Sequence, residues 1–241
     1  MAVYARTRKK RKKHGFRNFL IIAAMLGLLT YSLVNYIEEY PKEMIDLFIS
    51  NPEARGFVLA YPSHIDDPDL GQIDASELSD SVPLFQQWDR RWGYFSYGSG
   101  VLGITGCGPT CLSMVIVGLT GNTDATPAAV ADFSTQNGYY VAGVGTSWDL
   151  MTAGAQSYGL SSLEVGLSEE EMAAQLSSGH PIIASLGPGD FTTNGHFIVI
   201  KGYENGSFTV NDPNSKKRSG ESWQYSVLAP QIRCLWSFSA A

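Results

Sequence analysis

Cysteine is scarce in this chain. Three in 241 residues do not frame a disulfide-stapled scaffold, since one thiol is left over after any pairing. Cys111 and Cys234 remain an open pair, with core packing the preferred reading of both. Histidine is nearly as rare, with four in the chain. His14 lies in a basic flank, His64 in an acid-rich stretch and His180 before a proline. Only His196 starts an apolar run. No glycine-rich phosphate loop with its lysine stands at a strand-to-helix turn, so no cofactor is expected. The acidic run at 66–80 lacks the regular ligand spacing and the glycine of a calcium loop. Cys107 and Cys111 form a Cys-x3-Cys pair without a second close pair, which is a weak zinc signal, and no metal is expected. Internal repeats are lacking too.

Acidic residues are missing from residues 1–17, which hold eight of the 17 Lys+Arg; the rest carries nine basic and 23 acidic residues, formally -14. A nucleic-acid arm is not the reading, because an uncharged run follows. Phe19 to Val34 (FLIIAAMLGLLTYSLV), extended to 18–36, is close to the ~20 residues that span a bilayer. No small-x-small site follows it, so an uncleaved signal anchor is expected rather than a cleaved signal peptide. Tyr31, Tyr36 and Tyr40 suit the outer interface, and the positive flank places the N-terminus in the cytoplasm and the rest outside. The expected organisation is therefore a basic cytoplasmic flank over 1–17, a transmembrane anchor over 18–36, juxtamembrane helices with an exposed acidic linker over 37–81, and a globular domain over 82–241.

Within 37–81, a short helix is expected over Pro41 to Ser50. Asn51 caps a second, with Pro52 at its first position, and Pro62 ends it. In the globular part, Val82 to Phe85 is expected as a short strand. Thr126 and Pro127 start a helix closed by Gly138, and Thr146 or Ser147 caps another closed by Gly159. Ser168 and Glu171 make a capping-box pattern. Pro181 to Leu186 reads as a buried strand. His196 to Tyr203 and Ser207 to Asn211 flank Asn205-Gly206, a hairpin signal. Leu235 to Phe238 is a further strand. Helices first and an antiparallel sheet later make the class α+β.

The chain is organised around GITGCGPTCLSMVIVGL, Gly103 to Leu119. A glycine-rich stretch runs into an apolar helix with Cys107 at the join. Gly106 and Gly108 allow a sharp turn, and Pro109 suits a first helical turn. A cysteine there feels the positive end of the helix dipole, which favours thiolate. Read alone, the cysteine is better explained by packing. A thiol nucleophile needs a base, and the base an orienter. His196, at the start of a buried strand after a glycine-rich loop, is the candidate base. Asp212, at the end of the neighbouring strand and level with His196, is the candidate orienter.

The order Cys, His, Asp resembles that of the papain-like cysteine peptidases, and the detail resembles the peptidase C39-like group, kin of the bacteriocin-leader peptidases. The stretches that carry it are VPLFQQWDRRWGY, GCGPTCLSM, GHFIVIKGY and NDPNS, and the resemblance covers about 82–241. It implies a papain-like fold, with a nucleophile helix packed on an antiparallel sheet. It implies Cys107 as nucleophile, His196 as base and Asp212 as orienter. The glutamine before Trp-Asp takes the oxyanion role, which gives Gln87, with Gln86 the less favoured neighbour. The activity implied is hydrolysis of peptide or amide bonds, without cofactor; the outward charge pattern, unlike the cytoplasmic setting of the bacteriocin peptidases, makes an exported or cell-wall peptide the expected substrate. GTSWDLM and GPGDFTTNGHF are expected as cleft-lining loops, with Trp148 and Phe191 alternatively core. Two rival readings keep the same residues: a cell-wall peptide amidase, and an anchored module that grips peptide without cutting it. A third, a metal site built from Cys107, Cys111 and His196, is disfavoured.

Overall fold

The structure, a computed structural model, describes residues 15–28, 30–31, 40–65 and 70–241. The expected flank at 1–14, part of the expected anchor at 29 and 32–36, and linker residues 66–69 lie outside the described residues. Residues 15–28 are helical (α1) and exposed along their length. Among the described residues no helix is long and apolar enough to cross a membrane, so the span expected over 18–36 is not seen among them.

The chain divides into two units, Met1–Ile45 and Asp46–Ala241. Helix α2 (Lys42–Ser50) runs across that division. Asn51 then caps a turn at Pro52–Ala54, its Oδ1 accepting from Glu53 N at 3.0 Å, and α3 (Arg55–Ala60) follows. Residues 70–81 are less free than an exposed linker. Ile73 is buried, and Asp74 and Glu77 close a reciprocal capping box around Ala75–Ser79. Glu77 also receives both terminal nitrogens of Arg91, at 2.6 and 2.8 Å. That fork gives the acidic run a fixed partner, which composition alone does not reveal.

Val82 to Phe85 forms no strand. Pro83 has no N–H to give a ladder. The carbonyls of Val82 and Pro83 instead accept from Asn211 Nδ2, at 2.9 and 3.0 Å. A hairpin of β1 (Ser96–Tyr97) and β2 (Gly100–Val101) follows, then α4 (Leu102–Thr105) and α5 (Cys107–Thr120). Helix α5 is buried from Gly108 to Val117, and Gly121 ends it in the left-handed conformation at φ 71. Thr126 caps α6 (Pro127–Gln136), its hydroxyl accepting from Ala129 N. A second hairpin pairs β3 (Tyr140–Val141) with β4 (Gly145–Thr146). Ser147 caps a 3-10 turn at Trp148–Met151, and Thr152 (φ -114, ψ -88) breaks it from α7 (Ala153–Gln156). The helix expected there is thus two short pieces.

The rest builds one six-stranded sheet with α8 (Glu169–Ser177) leading into it. Its strands are β5 (Leu160–Glu164), β6 (Ile182–Leu186), β7 (His196–Glu204), β8 (Ser207–Asn211), β9 (Ser222–Gln224) and β10 (Ile232–Ala240), ordered β5-β10-β6-β7-β8-β9 and antiparallel throughout. Ser168 Oγ accepts from Glu171 N to cap α8, but Ser168 N donates to Gly166 O, so only half of the expected box forms. Asn205 (φ 52) and Gly206 (φ 77) make the β7–β8 turn, as Asn-Gly predicts. Both sheet faces are covered. Ile183, Phe197, Val199 and Trp236 pack with α5 and α6, while Ile182, Ala184, Ile198 and Ile200 pack with Met172 of α8 and Leu228. This explains why β6 and the first half of β7 read as continuous apolar runs rather than alternating ones. Two short helices, α9 (Lys216–Ser219) and α10 (Tyr225–Leu228), join the last strands.

Candidate active site

Cys107 is the first residue of α5 and is partly exposed. The helix has no side-chain cap at that end. The 102–108 turn is packed tightly. Gly103 abuts the Phe57 ring, where a Cβ would stand 2.4 Å from Cζ. A Cβ at Gly108 would stand 2.7 Å from Thr146 Oγ1. The GTSWDLM segment therefore lies against the Cys107 turn. Within it Trp148 is half exposed and meets Trp236 edge-on, with ring centroids 5.4 Å apart. Phe191, in the other loop expected to line a cleft, is buried and packs on Trp223 at 4.4 Å.

The three cysteines differ in setting, and all are free thiols. Cys111, one turn into α5, is fully buried, and burial pushes its pKa well above 9.0. Cys234 on β10 is also raised, chiefly by burial.

His196 opens β7, opposite Leu186, and is 7% exposed. Its Nε2 lies 2.8 Å from Asp212 Oδ1. Cys107 is near enough to act on the ring, and with Nε2 committed to Asp212 the nitrogen left to face the thiol is Nδ1. Burial works against the imidazolium, but the charge and hydrogen bond of Asp212, with Cys107 nearby, outweigh it, and the pKa rises to about 10.

Asp212 follows the last residue of β8 and has no exposed side-chain surface. The ladder pairs Val199 with Asn211, so Asp212 is two residues out of register with His196 rather than level with it, and the carboxylate reaches diagonally. Its Oδ1 also accepts from Asn214 N at 2.8 Å, and its backbone N–H donates to Ser219 Oγ at 2.8 Å. Arg218 Nε donates to Oδ2. Burial opposes ionisation of Asp212, but His196 and Arg218 together hold its carboxyl below 3.8.

Gln86 and Gln87 are both 3% exposed. Gln87 N donates to Pro213 O at 2.7 Å, which ties this segment to the Asp212 loop. Gln87 Nε2 donates to Gly103 O at 3.0 Å and Ile104 O at 3.2 Å, in the turn before Cys107. Gln86 Nε2 instead faces Asp212 O at 3.3 Å. Each glutamine leaves Oε1 buried without a hydrogen-bond partner. Gln87 is thus the one of the two directed at the Cys107 turn.

The structure therefore brings Cys107, His196, Asp212 and Gln87 together from two stretches of the chain, 87–107 and 196–212. Sequence reasoning missed three supporting residues. Arg218 binds Asp212; Trp88 Nε1 donates to Asn214 O at 3.2 Å; Asn211 ties the 82–83 segment to β8. The signal for Arg218 was the basic cluster LysLysArg directly after NDPNS. Nothing in the local pattern points to Trp88 or Asn211. His180 and His64 stand elsewhere, His180 on Gln175 Oε1 and His64 stacked on Tyr94. Among the described residues no group of three or more His, Cys, Asp or Glu is arranged to hold a metal ion.

An imidazole held between a thiol and a buried carboxylate is the arrangement that can take the thiol proton and return a proton to a leaving group. Comparison with known proteins bears on which chemistry uses it. No curated protein matches the chain. Among solved structures, the chain is similar to a protein described as a C39-like peptidase from Bacillus anthracis (16% identity, 71% of this chain and 98% of that one, TM-score 0.38). It is similar to the peptidase domain of Streptococcus ComA, a bifunctional ABC transporter involved in quorum sensing (14% identity, 57% and 93%, TM-score 0.42). A double glycine motif protease from an AMS/PCAT transporter, in complex with a leader peptide, is a third (15% identity, 71% and 99%, TM-score 0.36). The family model matches residues 79–236, a stretch that takes in all four residues of the site, and by that match the chain belongs to the Peptidase_C39 like family.

Proposed function

We propose that this protein is a membrane-anchored, extracellular cysteine peptidase that hydrolyses peptide or amide bonds through Cys107, His196 and Asp212, with Gln87 as an oxyanion donor. The observation that carries the reading is the buried His196, bonded through Nε2 to Asp212 Oδ1 and with Cys107 beside it. Membership of a peptidase family supports it. The anchor and the outward orientation rest on the uncharged run from Phe19 to Val34 and on the basic residues before it.

In the proposed reaction, His196 Nδ1 takes the Cys107 proton and Sγ attacks the acyl carbon. The carbonyl oxygen becomes an oxyanion. Gln87 Nε2 turns from Ile104 O, the longer of its two bonds, to meet it, and the Cys107 backbone N–H is the second donor. Such a donor is worth about 3 kcal/mol in the transition state. His196 then protonates the leaving amine, and the acyl group stays on Sγ. Water gives a proton back to His196 and its oxygen to the acyl carbon, which frees the acid and restores the thiol. Asp212 keeps the imidazole oriented and balances its charge throughout. Substrate is a peptide or protein outside the cell; the resemblance of one solved neighbour, a protease in complex with its leader peptide, fits a peptide ligand.

The test is site-resolved iodoacetamide labelling of the full-length protein against pH. Cys107 is expected to label fastest and at the lowest pH, with that advantage lost in His196→Ala. Cys107 labelling no faster than Cys111 or Cys234 would remove the nucleophile. Protection of a C-terminal tag from protease added to intact cells would overturn the orientation.

A further inference from the structure

Asp212 has a second partner beside His196. His196 holds Oδ1, and Arg218 Nε donates to Oδ2. A carboxylate held at one oxygen can swing about its last torsion; held at both, its plane is fixed. Arg218 is itself fixed. Its N–H donates to Ser215 Oγ at 3.1 Å, and its carbonyl accepts from Trp223 Nε1 at 3.1 Å. Its guanidinium stands over the Phe191 ring at 5.7 Å. Phe191 belongs to the loop that leads into His196, so the same guanidinium meets both Asp212 and that loop.

Helix α9, which presents Arg218, is seated by a residue far away in sequence. Glu53 Oε1 accepts from the Ser215 hydroxyl at 2.7 Å, and Oε2 from Lys216 N at 2.9 Å. Asn51 Nδ2 donates to Asn214 O at 2.7 Å. Both residues precede the stretch matched by the family model, 79–236.

We propose that Arg218, seated by Glu53, is a positioning residue of the site: it fixes the plane of the Asp212 carboxylate and thereby the direction in which the free nitrogen of His196 faces Cys107. The proposal rests on the peptidase reading. Arg218 touches no reacting atom and acts through Asp212. The titratable groups around Asp212 are His196 from β7, Arg218 from α9 and Cys111 from α5, with Cys107 facing His196. Beyond Arg218, Glu53, Asp190, Lys217 and Glu221 line a cavity of about 650 Å³. Because Arg218 is one of the two groups that overcome the burial of Asp212, its removal moves proton uptake by that carboxyl to higher pH.

The experiment compares the full-length wild type with Arg218→Gln, Arg218→Lys and Glu53→Gln by the rate of Cys107 alkylation against pH. In Arg218→Gln the acid limb is expected at higher pH and the plateau rate lower by about tenfold, the scale of lost outer-shell support. Arg218→Lys restores part of the limb, since it returns charge without the planar fork. Glu53→Gln falls between wild type and Arg218→Gln. A limb that stays in place in Arg218→Gln while the thermal midpoint drops would make Arg218 merely structural and overturn the proposal. If Arg218→Gln does not fold, Arg218→Lys decides: a profile superimposed on wild type, with Glu53→Gln also unchanged, overturns it. Were the wild type itself to label like an ordinary thiol, the peptidase reading would fall and this proposal with it, a result distinct from failure in the variants alone.

Discussion

Asn211→Ala tests whether the segment bearing Gln87 is held by one side chain. Asn211 is 1% exposed, and its Nδ2 spans the carbonyls of Val82 and Pro83 at 2.9 and 3.0 Å. Val82 is itself 3% exposed. Truncation removes two hydrogen bonds and strands two acceptors that Pro83 cannot re-pair within a ladder. Each bond is worth about 1 kcal/mol net, and a stranded buried acceptor costs about 1–3 kcal/mol. Partial relief by a water in the vacated space lowers the sum, so a loss of about 2–4 kcal/mol is expected, or roughly 5–15 °C in Tm for a domain of this size. Asn211→Asp sharpens the test. It is nearly isosteric but turns a donor into an acceptor that faces two carbonyl oxygens, so it is expected to cost more than Ala. Thermal and urea unfolding, followed by tryptophan fluorescence, read both variants. Losses under about 1 kcal/mol in both, or Asp milder than Ala, would refute the reasoning. The 82–87 segment would then be held by Gln87 N–Pro213 O and Trp92 Nε1–Gln86 O, at 2.7 and 2.8 Å, without help from Asn211.

Two further outcomes follow from the same contacts. His196, raised to about 10 from 6.5, contributes stability that is full below its unfolded value and lost as pH rises through about 10. Asp212, lowered from 3.8, contributes stability present above that value and lost as pH falls through its lower folded one. Unfolding free energy measured against pH should therefore decline on the alkaline side in wild type and less in His196→Phe; parallel curves would disprove the linkage. Gly98→Ala should destabilise strongly, because at φ 67 its Cβ would stand 1.9 Å from Cζ of Tyr140. A double-mutant cycle with Tyr140→Ala, which removes that ring, should recover the clash but not the backbone strain, and full additivity would show that the ring simply moves aside.

The sequence was most legible where one residue type has one local job. Asn205-Gly206 specified its turn, Asn51 and Thr126 their caps, and Gly138 and Gly159 left-handed stops that end helical segments. It was least legible where local composition competes with a distant partner. Val82-Pro83-Leu84-Phe85 has strand-like content, yet its carbonyls belong to Asn211, more than a hundred residues on. The acid-rich stretch before it looks solvated, yet Glu77 is claimed by Arg91 and Asp80 accepts from Lys201 Nζ at 3.0 Å. Besides the two-residue strands β1 to β4, β5 and β9 were missed; these two are edge strands with exposed faces and little apolar signal, and they exist because β10 and β8 offer them a ladder.

The candidate site shows the same division at closer range. The placement of Cys107 follows from its own neighbours: two glycines, a proline and an apolar helix behind it. The meeting of His196 with Asp212 follows from one hairpin, and the Asn-Gly turn sets its register to within two residues. What the strand pattern does not supply is the fixing of Asp212. That comes from Arg218, from Asn214 and Ser219, and through Ser215 from Glu53. An oriented imidazole needs a carboxylate that does not turn. In this fold the groups that stop it turning are drawn from residues 53 to 219, so the chemistry is written in a few residues and its rigidity in the whole domain.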